Sequence, residues 1–268
     1  MRAHHLVACL VGVALAVAQA PFAYGVDIHG DDLLDTYSGV GALLLPASAP
    51  PQARREAAEC ADCAWHIGDA CDTPYGVAFL RCQSTVLRCP AASQERRAWM
   101  RHGDGQWYDQ GLLCVTNDGP PTVAVVGQRA REAFIEHLPP LVPAVQPAAG
   151  VVTQVPAIFD SGQTSTGVVV DTVLAGVPVH LEARPQWSWQ FGDGSASVTS
   201  VSGSRWPVLT LSHTYRRPGR VTARVVATWN ASYTVGGVGT FPVAEAVTQE
   251  ANLGFWVGEG RASLAAGG

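Results

Sequence analysis

The chain has 268 residues, 17 basic against 22 acidic for a net charge of −5, with 47% hydrophobic and 15% charged positions. Its arginines form no stripe interleaved with aromatics, which excludes a nucleic-acid interface built on phosphate neutralisation. Every basic residue is arginine and lysine is absent, a usage that points to GC-rich codons and so to a high-GC bacterium.

The N-terminal MRAHHLVACLVGVALAVAQA has a short basic start, an apolar run from Leu6 to Ala18 and a small-x-small end at Ala18-Gln19-Ala20. This is the layout of a secretory signal peptide over residues 1–20. The run is shorter than the ~20 apolar residues a bilayer helix needs, and no second run is long enough to span. Leu6-Val7-Ala8-Cys9 spells a lipobox-like string, but too little apolar sequence precedes it. The expected location is therefore extracellular or in the cell envelope, without a transmembrane span.

Residues 21–59 pass from VDIHGDDLLD into PASAPPQARREAAE, read as an exposed leader and linker. Asp27, His29, Asp31, Asp32 and Asp35 lack the alternating ligands and turn glycine of a calcium loop, so a solvated acidic segment is expected.

Cys60, Cys63, Cys71, Cys82, Cys89 and Cys114 crowd the next region, residues 60–138. An even set in an exported chain reads as a disulfide framework of three bridges, its connectivity open. Zinc would need a second close pair beside Cys60-x-x-Cys63, and a thioredoxin-like redox site would need βαβ surroundings. No metal and no cofactor is therefore assigned. Ala130, Phe134 and Leu138 at i, i+4 and i+8 predict a short helix over Gln128 to Leu138, stopped by Pro139-Pro140. Beyond it, the five prolines and absent charge of 139–156 predict an extended, semi-rigid spacer.

From 157 to 260 the pattern is β. Val177, Val179, Leu181 and Ala183 alternate, as do Trp187, Trp189 and Phe191, and again Val221, Ala223, Val225 and Ala227. Each run is a strand with one buried face, and turn residues between them predict an antiparallel sandwich. Asn230-Ala231-Ser232 matches the glycosylation acceptor pattern and is read as a turn after Trp229. The last residues, 261–268, read as a flexible tail.

WSWQFGDG followed by LSHTYRRPGRVTARVV resembles the PKD domain, an Ig-like β-sandwich. Trp189, Phe191, Gly192, Asp193, Gly194, His213, Tyr215, Pro218 and Gly219 occupy the positions of its two signatures. The resemblance covers roughly 80 residues near Gly176 to Val247. Gln190 stands where the family usually has aspartate, and the loop from Ser195 to Thr210 is long and carries Trp206. The residues explain the motif without catalysis: Trp189 and Phe191 fill a core, Gly192 and Gly194 permit turn angles, and Asp193 bonds its own turn. Tyr215 is expected to return its hydroxyl to the backbone, with His213 hydrogen-bonded at the same corner.

No serine elbow, zinc-protease helix, phosphate loop or dinucleotide fingerprint occurs, so no catalytic residue is assigned. His66, His102 and His137 lie in the cysteine region beside Asp69, Asp104 and Glu136, without a recognisable spacing. The expected fold is mainly β, a PKD-like sandwich preceded by a small disulfide-rich region with a short helix. The expected role is that of a secreted, non-enzymatic protein whose PKD-like domain is a spacer or recognition module for envelope or extracellular protein or polysaccharide. The alternative is a small secreted enzyme or inhibitor in the cysteine region with the sandwich as accessory. Arg205 and Trp206, in the atypical loop, supply a planar donor fork and a stacking face, and are the expected ligand surface.

Overall fold

The computed structural model describes residues 27–31, 36–76, 87–117 and 119–260. The signal peptide with Cys9, the acidic residues Asp32 and Asp35, Cys82 and the 261–268 tail lie outside the described residues. Among those described, no helix is long and apolar enough to cross a membrane.

The first half is built on an antiparallel meander. Strands β1 (Asp27–Asp31) and β2 (Thr36–Val40) are followed by helix α1 (Pro51–Glu59), then by β3 (Cys63–Gly68), β4 (Ser93–His102) and β5 (Tyr108–Thr116). The five strands lie side by side in sequence order. Alternation on β3 buries Cys63, Trp65 and Ile67, which meet Ala98, Met100, Leu113 and Val115 from the next two strands. The segment expected to be a leader and linker is a correction. Leu43 and Leu45 enter this core, while Ala42 and Leu44 point into the core of the second half. Helix α1 divides its contacts the same way, Ala57 to one side and Ala58 to the other. Composition misleads because the charges of Arg55, Glu56 and Glu59 sit on the exposed face of α1, and the apolar Leu43–Leu45 run alternates between two cores.

Cys60 is bonded to Cys63 and Cys89 to Cys114. Cys71 is also in a disulfide.

Helix α2 (Val123–Glu136) starts five residues before the expected Gln128. Its first turn is rich in β-branched valine, a weak helix former. The cap and burial override that preference: the Thr122 hydroxyl accepts from the Val125 amide at 3.0 Å, and Val123, Val126, Ala130 and Phe134 form a buried stripe.

The second half contains β6 (Ala144–Gln146), β7 (Val151–Val152), β8 (Pro156–Asp160), β9 (Val168–Leu174), β10 (Val177–Gln190), β11 (Ala196–Thr199), β12 (Ser212–Thr214), β13 (Gly219–Val235), β14 (Gly239–Pro242) and β15 (Val247–Gly258). Long strands β10 and β13 pair antiparallel, with β15 on the far side of β13, while β12, β8 and β6 form a second, three-stranded sheet. Every odd position of β10 from Val177 to Trp189 is buried. That one stripe has two covers. Phe159 of β8 meets Trp189 and Phe191 edge-to-face at 5.4 and 5.1 Å, whereas α2 packs on the part of the sheet where β9 and β14 flank β10 and β13. The Tyr233 hydroxyl, donating to the Val123 carbonyl at 2.9 Å, ties the sheet to that helix.

The spacer expected over 139–156 is also a correction. Its residues supply β6, which pairs with β8, and β7, which runs parallel to β15. The Pro139 carbonyl accepts from the amides of Gln163 at 2.8 Å and Gln249 at 3.1 Å. Those glutamines in turn accept from the buried indoles of Trp187 at 2.9 Å and Trp229 at 3.1 Å, and bond each other at 2.7 Å. Satisfying two buried N–H groups this way fixes the start of the sandwich to its core. A proline-rich segment can serve as strands because both are extended, and short edge pairings tolerate a missing donor. Asn230 is likewise no turn: it lies within β13, opposite Arg184.

Candidate functional site

Two places gather the residues singled out in the sequence. The first is the Gly-Asp-Gly corner after β10. Gly192 and Gly194 have φ of +82° and +94°, a region open chiefly to glycine. Asp193 turns back on its own chain, accepting from the Ser195 amide at 3.0 Å and the Ser195 hydroxyl at 2.5 Å. His213 of β12 donates from Nε2 to Asp193 at 2.7 Å and stacks on Phe191 with centroids 4.4 Å apart. The Tyr215 hydroxyl donates to the Phe191 carbonyl at 2.9 Å. Corner and core strand are thereby held together by two side chains drawn from 20 and 24 positions away.

Serine, histidine and aspartate side by side invite a catalytic reading, and the geometry argues against it. In a nucleophilic triad the imidazole bridges, one nitrogen to the serine and the other to the carboxylate. Here Nε2 alone faces both, at 3.4 Å from Ser195 Oγ and 2.7 Å from Asp193, and the serine proton is directed to the carboxylate. The group is a turn lock. Partial burial pushes the Asp193 pKa up, but hydrogen bonds from the Ser195 hydroxyl, the His213 ring and the Ser195 amide outweigh it and hold the carboxyl at about 2, against an ordinary 3.8.

A depressed folded pKa stabilises the fold fully above the ordinary carboxylate value and loses that contribution as pH falls through the folded one. Acidification from pH 3.8 to about 2 should therefore cost the native chain more stability than it costs Asp193→Asn. Urea unfolding of both proteins across that window reads the difference. Parallel losses would show that Asp193 carries no folded-state advantage.

The second place is the loop after β11. Its backbone is sewn to β8: the Ser161 amide donates to the Ser202 carbonyl at 2.8 Å and the Ser204 amide to the Phe159 carbonyl at 3.0 Å. Arg205, expected to face a ligand, donates from Nε to Asp160 at 3.0 Å while its side chain stays largely exposed. The Trp206 amide donates to the Gln146 side chain at 2.8 Å. Its indole is 72% exposed, in contrast to the fully buried Trp187, Trp189 and Trp229. Trp206 forms one wall of a cleft of about 480 Å³, with Pro147, Val155, Pro156, Ile158 and Leu209. Ala157 and Phe159 of β8 enter the sandwich core and Ile158 does not, so the cleft lies on the outer face of the three-stranded sheet.

Residues 164–235 match the PKD domain family. No curated protein matches the chain. The matched segment runs from just before β9 to the last residue of β13, so β6, β8 and β15 complete the sandwich around the PKD match from outside it. The cleft beside Trp206 draws six residues of its lining, Gln146, Pro147, Ala148, Val155, Pro156 and Ile158, from the segment that precedes the match. No periodicity marks them, because they converge through the pairing of β6 with β8.

The histidines of the cysteine region do not share a partner. His66 bonds Asp72 at 2.9 Å, His137 bonds the Ala133 carbonyl at 2.7 Å, and His102 lies against the Cys60–Cys63 disulfide.

Proposed function

We propose that this is a secreted, non-enzymatic protein of the cell surface or envelope, and that its PKD domain binds an extended apolar segment of a partner protein in the cleft walled by Trp206. The observation that carries the reading is one exposed tryptophan among seven neighbours of which only Gln146 is polar. A polysaccharide site would need several donors and acceptors to match sugar hydroxyls, whereas aromatic and proline walls suit a polyproline-like or apolar peptide. Disulfides in the first half and the signal-like N-terminus support an oxidising, extracytoplasmic compartment. Among the described residues, the serine–histidine–aspartate group at Asp193 is arranged as a turn lock and not as a nucleophilic triad.

Arrays of extended apolar peptides and of bacterial surface glycans, probed with the full chain, test this. Peptides should be selected, and Trp206→Ala should weaken the best by about 30-fold or more, as truncating an interface tryptophan does, with melting unchanged. Selection of glycans alone, or equal peptide binding by the variant, would overturn the assignment.

A further inference from the structure

Cys60 and Cys63 flank the passage from α1 into β3, and β3 pairs with β4 so that Cys63 stands directly opposite His102. Cross-strand partners of this kind share one face. The His102 Nδ1 atom lies 3.4 Å from the Cys63 sulfur and 3.7 Å from that of Cys60. An Asp62 carboxylate oxygen is 3.3 Å from the Cys60 sulfur. Around a tetrahedral zinc ion, Zn–S and Zn–N bonds of ordinary length put sulfur and nitrogen about 3.6 Å apart. The histidine is thus already at ligand spacing from both sulfurs.

The bond holding the two sulfurs together is also the one of least structural consequence among those described. It closes a sequence separation of 3, against 25 for Cys89–Cys114, and a shorter loop restrains the unfolded chain less. Cys63 is buried, whereas Cys60 is partly open to solvent and can be attacked by an external thiol.

We propose that Cys60, Cys63 and His102 form a redox-gated zinc site, closed as the disulfide and opened by thiol reduction, with the fourth position left to water. Two thiol equivalents supply the two electrons and two protons. The Cys60–Cys63 bond breaks, both sulfurs become thiols, and the reductant leaves as its own disulfide. Zinc then binds the two sulfurs as thiolates, displacing their protons to solvent, and takes Nδ1 of the neutral ring. Sequence spacing alone offers only two ligands here; the third comes from 39 residues away, by strand register.

The test uses the full chain under graded dithiothreitol, with alkylation and mass mapping to order the bonds, followed by anaerobic titration with zinc and with cobalt. Cys60 and Cys63 should be alkylated before Cys89 and Cys114. The reduced protein should then bind one metal, with thiolate-to-cobalt charge-transfer absorption. His102→Ala should bind about tenfold more weakly or worse, and the Cys60→Ser, Cys63→Ser double variant should not bind at this site, with folding of each checked by its melt. The proposal fails if Cys89–Cys114 opens first, if the reduced chain takes no zinc, or if the double variant retains metal with the same absorption. It also fails if His102→Ala binds as tightly as the native chain.

Discussion

Trp189→Ala should unfold the sandwich at far lower denaturant than the native chain, at a cost of about 3–5 kcal/mol. Trp189 is completely buried, and Phe159 packs edge-to-face against it from the opposite sheet. Removing the indole leaves a cavity bounded by residues of two sheets whose strands are pinned by hydrogen bonds, so the walls cannot close on it. Trp189→Phe gives the sharper reading. The Trp189 Nε1 atom is buried without a hydrogen-bond partner, and leaving such a donor unsatisfied costs about 1–3 kcal/mol. Phenylalanine removes that penalty while losing volume, so its net cost should stay within about 1.5 kcal/mol. Urea midpoints for the three proteins check both values. A phenylalanine variant as unstable as the alanine variant would mean that the indole N–H is satisfied after all.

Gly192→Ala should be the most damaging single-methyl change in the corner, costing about 3 kcal/mol or more. A Cβ there would stand 2.5 Å from the Thr222 carbonyl oxygen and 2.8 Å from a Val221 methyl, in a backbone with φ of +82°. Those obstacles belong to β13, the central strand of the sheet, and cannot retreat without breaking its ladder. Gly194→Ala is the internal control. Its φ is +94°, yet nothing lies within 4 Å of the added methyl, so only the left-handed strain of about 1–2 kcal/mol should be felt. Equal melting of the two variants would remove the close approach at Gly192 as the reason for that glycine.

The core strands were legible because their period survives burial on one face. Alternation marks the buried positions of VPVHLEA and of WSWQF, expected as two strands, which the structure joins through Arg184-Pro185-Gln186 into the single β10, and it marks β13 up to Trp229. The WSWQFGDG and SHTYRRPG stretches carried the corner, since glycines, a turn carboxylate and alternating aromatics act locally. Even there, the union of Asp193 with Ser195 and His213 was only half visible: the serine is local, the histidine arrives through strand pairing. The expectations of a leader and of a spacer fail for one shared reason. Both rest on composition, and composition averages over faces that the fold separates.

Local sequence therefore determined the β class, the PKD corner, the buried tryptophans and the set of cysteines available for bonding. Tertiary structure alone decided how the two halves share residues 42–45, that a proline-rich stretch becomes two strands, that Arg205 pairs with Asp160 while Trp206 walls a cleft, and that His102 meets Cys60 and Cys63. Periodicity reports which side of a strand is apolar, and a turn motif reports its own backbone angles. Neither reports which distant strand will lie alongside, and every one of those later decisions is a matter of register between segments remote in the chain.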